Sequence, residues 1–130
     1  MLPAGWVWTT VGDIAEVELG KMLDRKKQTG EHSMQYLRNI NVRWHKVEID
    51  DLLTMDVAPE SRERYTVRAG DLLVCEGGEP GRCAVVPKPA EGLAFQKALH
   101  RIRPEQGVDV RYLAYAFDAM SLLGHLGRVS

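Results

Sequence analysis

No apolar run in this sequence approaches the roughly 20 residues that a helix needs to span a bilayer. Signatures of nucleotide-dependent chemistry are missing as well. There is no Gly-x-x-x-x-Gly-Lys-Ser/Thr, and no glycine-rich turn with dinucleotide-binding spacing. Gly-x-Ser-x-Gly and His-Glu-x-x-His are absent, which removes the usual hydrolase and metalloprotease signals. The four histidines (His32, His45, His100 and His125) are scattered without metal-ligand spacing and read as structural or surface residues. Neither a metal nor a cofactor is expected. Cysteine is scarce: Cys75 and Cys83 are the only two. A nucleophilic cysteine would need a base beside it, and apolar neighbours favour buried thiols here. Met1-Leu2-Pro3-Ala4-Gly5-Trp6 has neither a basic start nor an apolar core, so no secretory signal is visible. The expectation is a cytoplasmic protein with reduced thiols. Without repeats, low-complexity tracts or linkers, the 130 residues read as one domain. That length can bury a core without metal or disulfide support.

Net charge is −1, too little for a free-standing, non-specific nucleic-acid coat. The distribution of charge says more. Between Lys21 and Lys46 lie seven basic residues (Lys21, Arg25, Lys26, Lys27, Arg38, Arg43, Lys46) against Asp24 and Glu31, an excess of five. Between Val47 and Glu60 lie five acids (Glu48, Asp50, Asp51, Asp56, Glu60) and no base. Such segregation either presents one face to a polyanion or sets neighbouring loops to neutralise each other.

The strongest local pattern runs from Arg68 to Val86. Two apolar segments, Asp71–Cys75 and Cys83–Val86, flank a polar loop holding Gly77, Gly78, Pro80 and Gly81. This predicts a hairpin with a shaped tip projecting Glu76, Glu79 and Arg82. Cys75 and Cys83 fall near its two ends and could face each other. Upstream, Trp6–Thr9 alternates like a half-buried strand, and Thr10–Asp13 has capping-box spacing. Glu16–Leu19 reads as extended, Gly20–Ser33 as a long exposed basic loop, and Gln35–Val42 as extended again. Pro59 opens a short charged helix through Tyr65. A strand over Ala98–Arg103 is stopped by Pro104. Val110–Met120 carries apolar residues at helical spacing, with Asp109 as its N-cap.

Taken in order, several short pieces resemble the target-recognition domain of type I restriction–modification specificity (S) subunits. They are Leu2–Trp6, Val11–Ala15, Gly20-Lys21, Tyr36–Val42, Arg64-Tyr65, Gly70–Val74, Gly81–Val86, Gln96 and Arg101–Pro104, followed by the helix from Tyr112. The resemblance covers nearly the whole chain and rests on the ordered set rather than on any one motif. It implies an α/β (α+β) domain with a curved, barrel-like, mostly antiparallel sheet and a few short peripheral helices. It also implies a non-catalytic component that reads one half of a bipartite double-stranded DNA target for methyltransferase (M) and restriction (R) subunits. The chain stops at Gly127-Arg128-Val129-Ser130, where the family continues towards a long spacer helix. The expectation is therefore a fragment or half-subunit, with a homodimer as one way to imitate the whole.

Residue chemistry divides the candidate contacts into two sets. Lys21, Arg25, Lys26, Lys27 and Arg43 suit phosphates, which fix register without reading sequence. Arg38, Asn39, Asn41, Glu76, Glu79, Arg82, Gln96 and Lys97 are types that pair with base edges: Arg with guanine, Asn with adenine, Glu with cytosine. Other readings stand beside these. Arg82 can pair with Glu76 or Glu79, Asn39 and Asn41 can be turn-formers, and Lys26-Lys27 can lie in a disordered loop. Arg101 and Arg103 can be a solvated strand face. Two rival functions also remain open: a protein-interaction module that does not bind DNA, and an enzyme with a reactive cysteine.

Overall fold

The computed structural model describes residues 15–76, 81–114 and 117. The expected strand at Trp6–Thr9, the capping box at Thr10–Asp13, and the tip residues Gly77, Gly78, Glu79 and Pro80 lie outside them. Among the described residues, the central layer is a four-stranded antiparallel sheet. Its strands are β1 (Ala15–Leu19), β6 (Leu72–Cys75), β7 (Cys83–Val85) and β9 (Leu99–Pro104). They lie in the order β1-β9-β6-β7. The predicted hairpin is its β6–β7 edge, with Leu72 opposite Val85 and Val74 opposite Cys83.

Strand alternation sorts the side chains of this sheet onto two faces. Leu72, Val74, Cys83 and Ile102 share one cluster with Leu113, Ala114 and Phe117, which are helical along with residues 110–112. Asp109 Oδ1 accepts the Arg111 N–H at 2.9 Å, the N-cap that the sequence predicts. The opposite face carries Leu73, Cys75, Ala84 and Leu99 and packs on Leu37 and Phe95 of a second layer. Cys75 and Cys83 are therefore both buried, in clusters on opposite faces of the sheet.

The second layer comprises β2 (Ser33–Leu37), β5 (Leu53–Asp56) and β8 (Ala94–Phe95), in the order β5-β2-β8. β2 pairs with β5 antiparallel and with β8 parallel. A small hairpin, β3 (Val42–Arg43) with β4 (Lys46–Val47), completes the described strands. The mostly antiparallel α+β class is as expected, but these sheets do not close into a barrel. β2 and β3 do not form the single extended run expected over Gln35–Val42. Residues Asn39–Asn41 make a 3-10 turn, because Asn41 Oδ1 accepts the Arg38 N–H at 2.9 Å. A side chain that satisfies the backbone locally competes with the sheet ladder.

The short charged helix forms at α1 (Arg62–Tyr65), entered through a 3-10 turn beginning at Pro59. It covers the charged end of the central sheet, and this decides between the readings of Arg101 and Arg103. Arg101 is only 1% exposed. Arg103 is clamped in two parallel bonds of 2.8 Å to the buried Asp71 carboxylate, which also accepts the Arg68 N–H at 2.7 Å. On this strand face Arg101 is internal and Arg103 is half-buried in an ion pair, so neither is simply solvated. Alternation reveals which residues share a face; it does not reveal that a helix lies on top.

Candidate nucleic-acid interface

The basic loop begins where β1 leaves the central sheet. The Gly20 N–H donates to the Leu99 carbonyl at 3.1 Å, and Lys21 donates to the Phe95 carbonyl at 2.9 Å. Lys97 N–H donates back to the Lys21 carbonyl at 3.0 Å, so Lys21 and Gln96 form a parallel bridge. Glycine is required at position 20 because a Cβ there would sit 2.0 Å from the Gln96 carbonyl oxygen. Beyond it, Asp24 accepts the Lys26 N–H at 3.0 Å and caps a 3-10 turn formed by Arg25–Lys27. All three basic side chains of that turn are exposed, and no described acid pairs with them. Lys21 is half-buried, with its ammonium 5.3 Å from the Tyr65 ring centroid.

Asp56, at the end of β5, ties down the far side of the loop. Its carboxylate accepts the N–H groups of Thr29, of Gly30 at 2.9 Å and of His32 at 3.3 Å. Its own N–H donates to Gln28 Oε1 at 2.7 Å. The bonds to the carboxylate, Gly30's first, hold the Asp56 pKa below the ordinary carboxylate value of 3.8. The carboxylate form is thus the one that fastens the loop. Its contribution is complete above the ordinary value and is lost as pH falls through the lowered one. Asp56→Asn is expected to speed tryptic cleavage at Arg25, Lys26 and Lys27 several-fold at neutral pH. Unchanged cleavage would show that the loop is held by other contacts.

The base-contact candidates divide by what already holds them. Asn39 Nδ2 donates to the Glu76 carbonyl at 3.3 Å. The Arg82 guanidinium donates to the Asn39 side-chain oxygen and to its carbonyl. Glu76, Gln96 and Lys97 line one open concavity of about 450 Å³ with Met22, Leu23 and Ala98. Asn39, Glu76, Arg82, Gln96 and Lys97 therefore form a connected surface next to the root of the basic loop. Asn41 is different: it is 3% exposed, and its amide nitrogen donates to the Glu48 and Asp51 carbonyls at 3.1 Å each. It shapes the turn and has no free group for a base.

Arg38 rests on the Asp51 carboxylate at 3.3 Å, and Arg43 lies 3.9 Å from Glu48 on the β3–β4 hairpin. The acidic segment thus neutralises part of the basic one, and the uncompensated charge concentrates at Arg25–Lys27. Glu79 lies outside the described residues. Sequence reading missed Asp56 as the loop's anchor, since a lone acid carries no signal of the amides it will meet. It also passed over Met22 and Ile40, which are 61% and 55% exposed.

This geometry occurs on a known scaffold. The structure is similar to the crystal structure of the HsdS subunit from Thermoanaerobacter tengcongensis, with a TM-score of 0.62 and 15% identity over 85% of this chain. It is also similar to a structure solved for complex assembly and conformational transition of the type I R-M system, with a TM-score of 0.61 and 16% identity over 85% of this chain. The chain has an HsdS fold. It spans 26% of each of those two chains, about a quarter of the length of an HsdS subunit. Neither a protein-family profile nor a curated protein sequence matches it. At this identity the HsdS likeness concerns the fold alone. No described helix of this HsdS-like unit is long and apolar enough to cross a membrane.

Proposed function

We propose that this chain recognises a specific duplex DNA sequence, as one half of a bipartite target, and directs the methyltransferase and restriction subunits of a type I system to it. Catalysis belongs to those companions. The observation that carries the reading is the Lys21–Gln96 bridge on an HsdS fold, which fastens an uncompensated basic turn beside a polar concavity. Arg25, Lys26 and Lys27, with Lys21 and Arg43 flanking, hold the phosphate backbone. Asn39, Glu76, Arg82, Gln96 and Lys97, with Arg38 and Glu79 beside them, approach base edges. A lone module of this kind buries roughly 600–1,000 Å² of protein on DNA. Partner subunits, or a second copy, enlarge that footprint.

Electrophoretic titration of duplexes at low and high salt tests this. The chain should bind duplex DNA with steep salt dependence, whereas salt-independent or absent binding would dismiss the reading. Lys26→Ala combined with Lys27→Ala should weaken every duplex alike. It should also flatten the slope of log affinity against log salt by about 1.8, roughly 0.9 for each phosphate no longer neutralised. A change in sequence preference instead would show that the division between phosphate and base contacts is wrong.

A further inference from the structure

Five large apolar side chains are substantially exposed among the described residues: Leu19, Met22, Ile40, Leu53 and Tyr112. Singly exposed apolar residues are ordinary on protein surfaces. Two of these stand in an unusual setting. Ile40 is the middle residue of the Asn39–Asn41 turn, and both neighbours are pinned. Asn39 is held by Glu76 and Arg82, while Asn41 is buried on the Glu48 and Asp51 carbonyls. The turn presents a branched side chain, stiff at χ1, outward from a rigid base. Met22 lines the concavity with Glu76, Gln96 and Lys97. Glu76 thus adjoins both residues, through its carbonyl on the Ile40 turn and by lining the Met22 concavity. Each apolar group is framed by candidate polar base contacts.

We propose that Ile40 and Met22 are specificity-determining residues that pack against 5-methyl groups of thymine in the major groove. This inference rests on the DNA-recognition reading above. The major-groove edge of a base pair carries donors, acceptors and one apolar feature, the thymine methyl. Polar side chains satisfy the first two kinds and gain nothing from the third. An exposed isoleucine or methionine among them has the opposite preference, because it buries a methyl and forms no hydrogen bond with a base. The two residues also differ usefully. Ile40 is fixed by its turn and selects one position, whereas the flexible Met22 adapts to the shape around it.

The test begins with the unaltered chain. A preferred duplex is selected from a random pool, and each of its thymines is then replaced, one at a time, by deoxyuridine, which lacks only the methyl. One or two replacements should weaken binding about three- to fivefold, the worth of one methyl withdrawn from water. Ile40→Ala should bind the thymine and deoxyuridine duplexes equally at one such position, with an unchanged salt slope, and Ile40→Val should keep part of the discrimination. Met22→Ala should do the same at a second position. A preferred duplex without thymine, or one indifferent to every replacement, overturns the proposal while leaving DNA recognition standing. So does full thymine discrimination in both alanine variants, which would free this surface for a protein partner. Failure to select any duplex overturns the DNA-recognition reading and this inference with it. The deoxyuridine series needs no variant, so its outcome stands even where a mutant misfolds.

Discussion

Arg101→Met is expected to lower the free energy of unfolding by about 2–4 kcal/mol, with the denaturant slope unchanged. The buried guanidinium donates to the carbonyls of Arg64 at 2.8 Å, Thr66 at 2.7 Å and Glu63 at 3.4 Å. Its second arm reaches Glu16 Oε1 at 3.2 Å, and its carbon lies 5.5 Å from the Phe95 ring centroid. The carbonyls of Glu63 and Arg64 belong to α1, whose final C=O groups have no partner within the helix. A methionine fills similar space and donates nothing, so these oxygens lose a charge-assisted bond each. Relief of the arginine's own desolvation offsets part of that loss. Burial, with the like charge of Arg103 close by, pushes the Arg101 pKa down, so the desolvation cost is real. Arg101→Lys should restore less than half the lost stability, because one compact ammonium cannot copy a planar fork. Equilibrium urea unfolding measures both variants. Wild-type stability in Arg101→Met would mean that water replaces the fork at no net cost.

Gly20→Ala is expected to cost about 3 kcal/mol, at the upper end for forced overpacking. The added carbon would meet the Gln96 oxygen at 2.0 Å, the Gln96 carbonyl carbon at 2.3 Å and the Phe95 oxygen at 2.7 Å. These are backbone atoms of a paired segment, so no side chain can rotate away to make room. The chain must part where β1 hands over to the basic loop, breaking the Lys21 bonds to Phe95 and Lys97. Urea unfolding reads the stability loss. Tryptic cleavage at Arg25–Lys27 should quicken in the same variant, linking this crossing to the order of the loop. Unaltered stability would show that β1 and β8 can separate freely, and the Lys21–Gln96 bridge would then not be what seats the loop.

Legibility in the sequence follows the range of the interaction involved. The β6–β7 hairpin was readable because two apolar runs and the glycines between them act on their immediate neighbours. The helix from residue 110 was readable for the same reason, through Asp109 and the spacing of Leu113, Ala114 and Phe117. Asn39 and Asn41 were ambiguous, since the same amide serves a turn or a base edge. Only Asn41's burial under Glu48 and Asp51 separates the two. For Arg38 likewise, only the fold shows that Asp51, thirteen positions away, rests against it.

By itself the amino-acid order determined the alternation of the strands, the turn and cap positions, and the clustering of basic charge before residue 47, all of which arise between near neighbours. Folding in three dimensions decided which described charges stay unpaired, that α1 covers Arg101 while Asp71 clamps Arg103, and that Lys21 meets Gln96 across a glycine crossing. The reason is physical: burial and ion pairing depend on what lies above a surface, and the covering residues are here brought in from tens of positions away along the chain.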